Sequence, residues 1–388
     1  MPAVKRGRSR KANPPAIPKD DLPTGTTNAD APQRDVGGGE GRAIDAAIPI
    51  GPAPDLAATI EDLRHRQRTR RFAMKSQMRQ NNATLALVRS VIGWSPDNTE
   101  AQNKRINDRA RLIVSTVEAR EAAAQERRKR AELVAEGKRP NGREPVDPKP
   151  LNDQDEEVAQ AFGIVIRTAW SSRQPWDDLR FETEKQMEWL AQTLPVWEWV
   201  EGVRGFGAKG LAVIVGEAGD LSVYDDPAKL WTRLGVGLRN GRRQGDPGPR
   251  ATKQDWVDHA YSGRRRSESW NICQSLIRGQ WRGAKEDPET GELTEGHPLG
   301  RYGALYASRK TYRLERNEAG AYADAAAEAA EKIRKSGKTP PKENLEGRLT
   351  RKHIDNQARR DVEKRLLKHL WQAWRRQEVG SDEPPSMT

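Results

Sequence analysis

The stretch PVWEWVEGVRGFGAKGLAVIVGEAGDL, residues 195–221, has the residue types and spacing best suited to chemistry. Pro195 suits a first helical turn, Trp197 and Val200 give apolar spacing, and Gly205-Phe206-Gly207 interrupts the pattern before an apolar run from Ala208 to Val215. Helix, glycine turn and helix in succession predict a helix-hairpin-helix. Two glycines flanking one apolar residue let the chain turn with positive φ and bring backbone N–H groups to the surface, while Phe206 plugs the gap between the helices. N–H groups at the start of the second helix suit one phosphate of a nucleic-acid backbone, which they would position without reading its sequence. Lys209 in the first turn adds a charge-assisted contact. The plain alternative is a helical hairpin in which glycine only permits close packing.

Further basic stretches extend the expected surface. Arg242 and Arg243 lie in the loop NGRRQGDPGPR, and Arg264, Arg265 and Arg266 follow Ser262-Gly263. In RYGALYASRKTYRLER, residues 301–316, Tyr302, Leu305, Tyr306 and Tyr312 fall near one helical face, with Arg309, Lys310, Arg313 and Arg316 largely elsewhere. Aromatics interleaved with arginine suit stacking on bases with phosphate contact, but the same spacing suits core tyrosines with solvated arginines.

The text GFGAKGLAVIVGEAGDLSVYDDPAKLWTRLGVGL, residues 205–238, resembles the C-terminal domain of the DEDD-type insertion-sequence transposases, which include the Piv-type invertases and RNA-guided recombinases. In that family a G-I-G-P-x-x-A hairpin leads into a helix ending in A-E-I-G-D, then a short loop and a helix ending in a G-L-x-P turn. Glu217, Gly219, Asp220, Tyr224, Lys229, Leu230, Leu234 and Gly235 fall in step with it. GRRRSESWNICQSLIRG and the last helix, HIDNQARRDVEKRLLKHLWQAWRR, match more loosely. The resemblance implies DNA binding and recombination, with a serine nucleophile in the loop after the turn. Gln244-Gly245 occupies about that place here, and Ser262-Gly263 is a displaced replacement beside three arginines that would stabilise developing phosphate charge. Ser262 equally suits the cap of a helix starting near Arg264. The family's RuvC-like nuclease domain has no counterpart: residues 1–150 show no β-alternation and no Asp after an apolar strand.

The elements that must position these residues follow from composition and periodicity. The 388 residues hold 68 Lys and Arg against 56 Asp and Glu, a net charge of +12, which favours an anionic partner. Apolar residues make up 35% and the mean hydropathy is −0.93, so no membrane span is expected. Prolines and Asp follow the basic start where a signal-peptide core would lie, so a cytoplasmic protein is expected, nucleoid-associated if bound to DNA. One cysteine, Cys273, and five scattered histidines give no zinc-ligand spacing; no metal or cofactor is expected.

Residues 1–57 interleave Pro, Gly and Asp without an aromatic and read as a disordered tail with a basic start, and 379–388 as a second tail. Residues 58–136 predict a helical hairpin or coiled-coil arm: Leu56, Ile60 and Leu63 follow a cap at Asp55, and Ile106, Ala110, Ile113 and Val117 start a second helix over 101–136. The polar second half of that helix needs a partner, which suggests a homo-oligomer through the arm. Residues 137–150 form a Pro-rich linker and the expected boundary; residues 151–378, which hold most of the twelve tryptophans, would form the helical domain with the hairpin. Ile354, Ala358, Val362, Leu366 and Leu370 repeat every four residues on a final basic helix. The expected protein is all-α and binds nucleic acid, duplex DNA or else structured RNA, without its own nuclease activity. An active recombinase using Ser262, or a non-catalytic assembly protein of a mobile element or phage, are the alternatives.

Overall fold

The computed structural model describes residues 55–239, 242–245, 251–283, 285–286, 293–294 and 296–379; the expected tails, apart from 55–57 and 379, lie outside these. The chain is all-α. Its helices are α1 (Leu56–Val91), α2 (Glu100–Ala135), α3 (Asp153–Gln192), α4 (Trp197–Glu201), α5 (Ala208–Ala218) and α6 (Pro227–Arg233), then α7 (Lys253–His259), α8 (Gly263–Gln280), α9 (Arg301–Glu318), α10 (Ala323–Lys335), α11 (Lys342–Leu345) and α12 (Arg351–Val379). The only strands among the described residues are two-residue pieces in three antiparallel pairs, one of them β1 (Leu238–Arg239) with β2 (Arg242–Arg243). No helix among the described residues is long and apolar enough to cross a membrane.

Local sequence sets the helix ends. Asp55 accepts from the Ala57 N–H at 3.1 Å and starts α1. Thr99 and Gln102 exchange hydrogen bonds in a capping box at α2, Asn152 caps α3, and Asp226 caps α6, whose first residue is Pro227.

The largest departure from expectation is α3. It runs forty residues through Pro175 and lies antiparallel along α1, with Arg70 meeting Glu184, Gln77 meeting Asp177 and Gln80 meeting the Ser172 carbonyl. Phe72 of α1 stands edge-on to Trp176 at 5.5 Å, directly after the proline. The segment 137–150 is therefore a connection within one compact unit and does not divide it, because α3 carries the arm and the hairpin region on one axis. Val88, Ala110, Ile113, Val117, Ala159 and Ile166 build a core shared by α1, α2 and α3 at one end.

The polar half of α2 finds its partners in the same chain. Arg130 donates to the Asn141 and Arg143 carbonyls at 2.7 and 2.6 Å, Arg127 pairs with Asp147 at 2.9 Å, and Arg120 forks onto Glu156 of α3.

The main core brings Ile60 and Leu63 of α1 together with α3, α5, α8 and α12. On α12 the expected stripe Ile354, Ala358, Val362, Leu366 and Leu370 is wholly buried, and Trp374 joins it. Trp371 and Trp374 donate their indole N–H groups to the Tyr224 carbonyl (2.7 Å) and Asp220 (3.1 Å), which seats α12 on the loop after α5. Leu366→Ala should therefore cost about 2–5 kcal/mol in urea unfolding, whereas Leu112→Ala, at a side chain 53% exposed, should cost under about 1 kcal/mol.

Candidate nucleic-acid interface

In the turn between α4 and α5 only one of the two glycines takes the expected positive φ, Gly207 lying at an ordinary φ of −75°. Gly205 holds φ +83°, a conformation that side chains resist, and both Gly205 and Gly207 are exposed. Phe206 between them is 1% exposed, stands edge-on to Trp199 at 6.4 Å, and presses on Gly210, where a Cβ would come within 2.9 Å of the ring. Close packing is equally real: a Cβ on Gly279 of α8 would sit 2.7 Å from the Gly205 Cα. Gly207 is the N-cap of α5 and offers no side-chain oxygen, so the first-turn N–H groups of that helix have no side-chain cap.

Lys209 has a partner within the fold. Its ammonium donates to Glu184 at 2.6 Å, and Glu184 also accepts from Arg70 at 2.7 Å and Arg180 at 3.1 Å. Arg70, itself buried, reaches Glu268 of α8 at 3.0 Å. Burial alone would raise the Glu184 carboxyl, but the hydrogen bonds from Lys209 and Arg70, with Arg180 nearby, bring it down to about 2. Gly205, Gly207, Lys209, Arg70, Arg180 and Glu268 line a cavity of about 310 Å³ beside the turn.

The three arginines at the start of α8 turn inward, contrary to the expected basic surface. Arg264 and Arg265 (3.5 Å) pair with Glu217, which is buried at the end of α5 and also receives Gln67 at 2.9 Å. Arg266 pairs with Glu363 of α12 at 2.7 Å, where Ser269 also donates at 2.6 Å. A carboxylate shut away from water needs donors, and these side chains supply them. Burial would raise Glu217, yet Gln67 and Arg264 hold it below the ordinary range; at Glu363 burial prevails and the carboxyl is raised. Ser262 is the N-cap of α8, accepting from the Arg265 N–H at 3.4 Å, and no carboxylate or imidazole is hydrogen-bonded to it among the described residues. The role this geometry gives it is that of a helix cap.

The α9 cations divide. Arg313 is bound to Asp361 at 2.7 Å and to Gln357 at 2.9 Å of α12, while Arg309 forms no ion pair among the described residues. Tyr302 and Tyr306 are buried, one bonded to His369 at 2.9 Å and the other to Asp355, so they are core and not stacking platforms; Tyr312 is 45% exposed. For Arg242 and Arg243 the backbone strand is described, and their side chains lie outside the described portion. Among the described residues no group of three His, Cys, Asp or Glu could hold a metal ion.

A second cationic cavity, of about 190 Å³, escapes the sequence reading. Arg266, Arg313, Arg360 and Lys364 come together there with Gln357 and Asp361, below the 235–238 turn. Its cations lie on three helices far apart in the chain: Arg266 and Arg313 were expected on separate basic stretches and Arg360 and Lys364 on the final basic helix, but no local pattern shows that they converge. Comparison with family models, curated proteins and solved structures finds no match to the chain.

The Glu184 cluster has a pH signature. A carboxyl lowered from 4.5 to about 2 on folding contributes ~3 kcal/mol, fully present above about pH 4.5 and lost as pH falls towards 2. Urea unfolding of wild type and Glu184→Gln should therefore show the variant less stable at pH 7, with the gap closing as the pH approaches 2.

Proposed function

We propose that the chain binds the sugar-phosphate backbone of duplex DNA, as a relative of the insertion-sequence transposases. The observation that supports it most is the exposed, uncapped start of α5 on the Gly205-Phe206-Gly207 turn. Orphan N–H groups at a helix start, in the positive end of its dipole, suit a phosphate oxygen, and Gly207 has no side chain to obstruct it. Lys209, Arg180 and the buried Arg70 carry three positive charges against the two of Glu184 and Glu268, so the cluster beside the turn keeps a net positive charge, with Lys209 exposed at its edge. Contacts of this kind hold a backbone without reading bases, so binding is indifferent to sequence.

Gly207 also provides a clean test. Its φ of −75° is ordinary and a Cβ there meets nothing within 4 Å, so substitution leaves the fold intact. Gly207→Asp would cap α5 with a carboxylate, raising or preserving the melting temperature while repelling phosphate. The expected result is duplex affinity weakened about tenfold or more, equally for unrelated sequences; unchanged affinity in the folded variant would remove the hairpin assignment.

A further inference from the structure

The buried stripe of α12 runs 354, 358, 362, 366, 370, and residues two positions further along a helix lie about 200° round, on the opposite side. That opposite row reads Asn356, Arg360, Lys364, Lys368, Gln372 and Arg376, without a carboxylate. Arg365, exposed, stands beside it. From Arg360 to Arg376 is sixteen residues, about 24 Å of helix.

The cations towards the C-terminal end of this face are not spent inside the protein. Arg365, Lys368 and Arg376 form no ion pair among the described residues. His369 shows the resulting field: burial and then Arg301, Arg365, Lys368 and Arg376 lower it to about 4. Arg301, at the start of α9, is exposed and lies 5.9 Å over the Trp199 ring. At its other end the row runs into the 190 Å³ cavity, where Arg360 and Lys364 meet Arg266 and Arg313. Leu238 and Gln244, at the base of the β1–β2 hairpin, line the same cavity.

We infer that the outward face of α12, from the cavity at Arg360 to Arg376, is a docking surface for one strand of a duplex nucleic-acid backbone. Charge complementarity chooses the occupant: Arg360, Lys364, Lys368 and Arg376 recur at multiples of four residues along about 24 Å of helix, in a row that itself carries no acid, which suits the phosphates of one strand. The cavity seats one phosphate at the end of the row, between guanidiniums already held by Asp361 and Glu363. Fixed guanidiniums lose little freedom on binding. This inference rests on the nucleic-acid reading and adds to it a surface on different helices from the hairpin.

The test is fluorescence anisotropy of the full chain with a labelled duplex across a salt series. One variant carries Arg365→Gln, Lys368→Gln and Arg376→Gln; the control carries the same loss of charge on α2, at the exposed Arg105→Gln, Arg111→Gln and Arg128→Gln. Each lost phosphate contact removes about 0.9 from the slope of log affinity against log salt. The α12 variant should therefore lose two to three from the wild-type slope and bind at least tenfold more weakly near physiological salt, with the control near wild type. Equal slopes for both variants, with wild type binding, would overturn the α12 surface and leave the hairpin standing. No duplex binding by wild type would overturn both. Binding by wild type to phosphatidylserine vesicles instead, lost in the α12 variant, would assign the face to a membrane and overturn the inference.

Discussion

A carboxylate buried in an apolar interior must be matched by donors, and in this molecule that constraint decides where the arginines go. Glu217 stands at the end of the apolar helix α5 and is approached by Gln67 and Arg71 of α1 and by Arg264 and Arg265 of α8. Arg70 is the converse case, a buried cation between Glu184 of α3 and Glu268 of α8. These two centres tie α1, α3, α5 and α8 together. Removing one partner would leave an uncompensated buried charge, a penalty of several kcal/mol, so the arrangement is fixed more firmly than surface pairs would fix it.

The charge of the chain is thereby divided into two populations. Arg70, Arg264, Arg265 and Arg266 serve the interior, while Arg365 of α12 and Lys209 beside the α5 start are exposed and Lys368, Arg376 and Arg180 are half-buried. Net charge alone does not tell them apart, and a run such as Arg264-Arg265-Arg266 looks more like a phosphate site in sequence than it is in the fold. The residues in step with the transposase pattern have structural work of their own here. Gly219 holds φ +83° after α5, the Tyr224 hydroxyl donates to the Ala218 carbonyl at 2.7 Å, Asp220 receives Trp374, Leu230 and Leu234 are buried, and Gly235 holds φ +75°.

Much of the fold was legible because it is local. Helix starts were marked by Asp55, the final helix by its four-residue apolar repeat, and the α4–α5 turn by two glycines around a phenylalanine. The α1–α3 pairing was not. The buried positions of α1 run Ile60, Leu63, Gln67, Arg70, Ala73, Gln77, Thr84 and Val88 at helical spacing, but the middle of that stripe is polar and reads as a solvated face. Its side chains find their partners about 100 residues or more away on α3, α5 and α8, a pairing that no local pattern encodes. The hairpin part of the candidate site was legible for the same reason that the helix ends were, whereas the cavity under the 235–238 turn needs α8, α9 and α12 to be brought together.

The most direct test of the account is equilibrium binding of the full chain to labelled duplex DNA, single-stranded DNA and structured RNA over a salt series. Tight binding to duplexes of unrelated sequence is expected, with log affinity falling steeply and linearly against log salt, the slope giving the number of phosphates neutralised. Absence of binding to all three probes near physiological salt would contradict it, and would make the glycine turn a packing device and the cationic face of α12 a surface for some other partner.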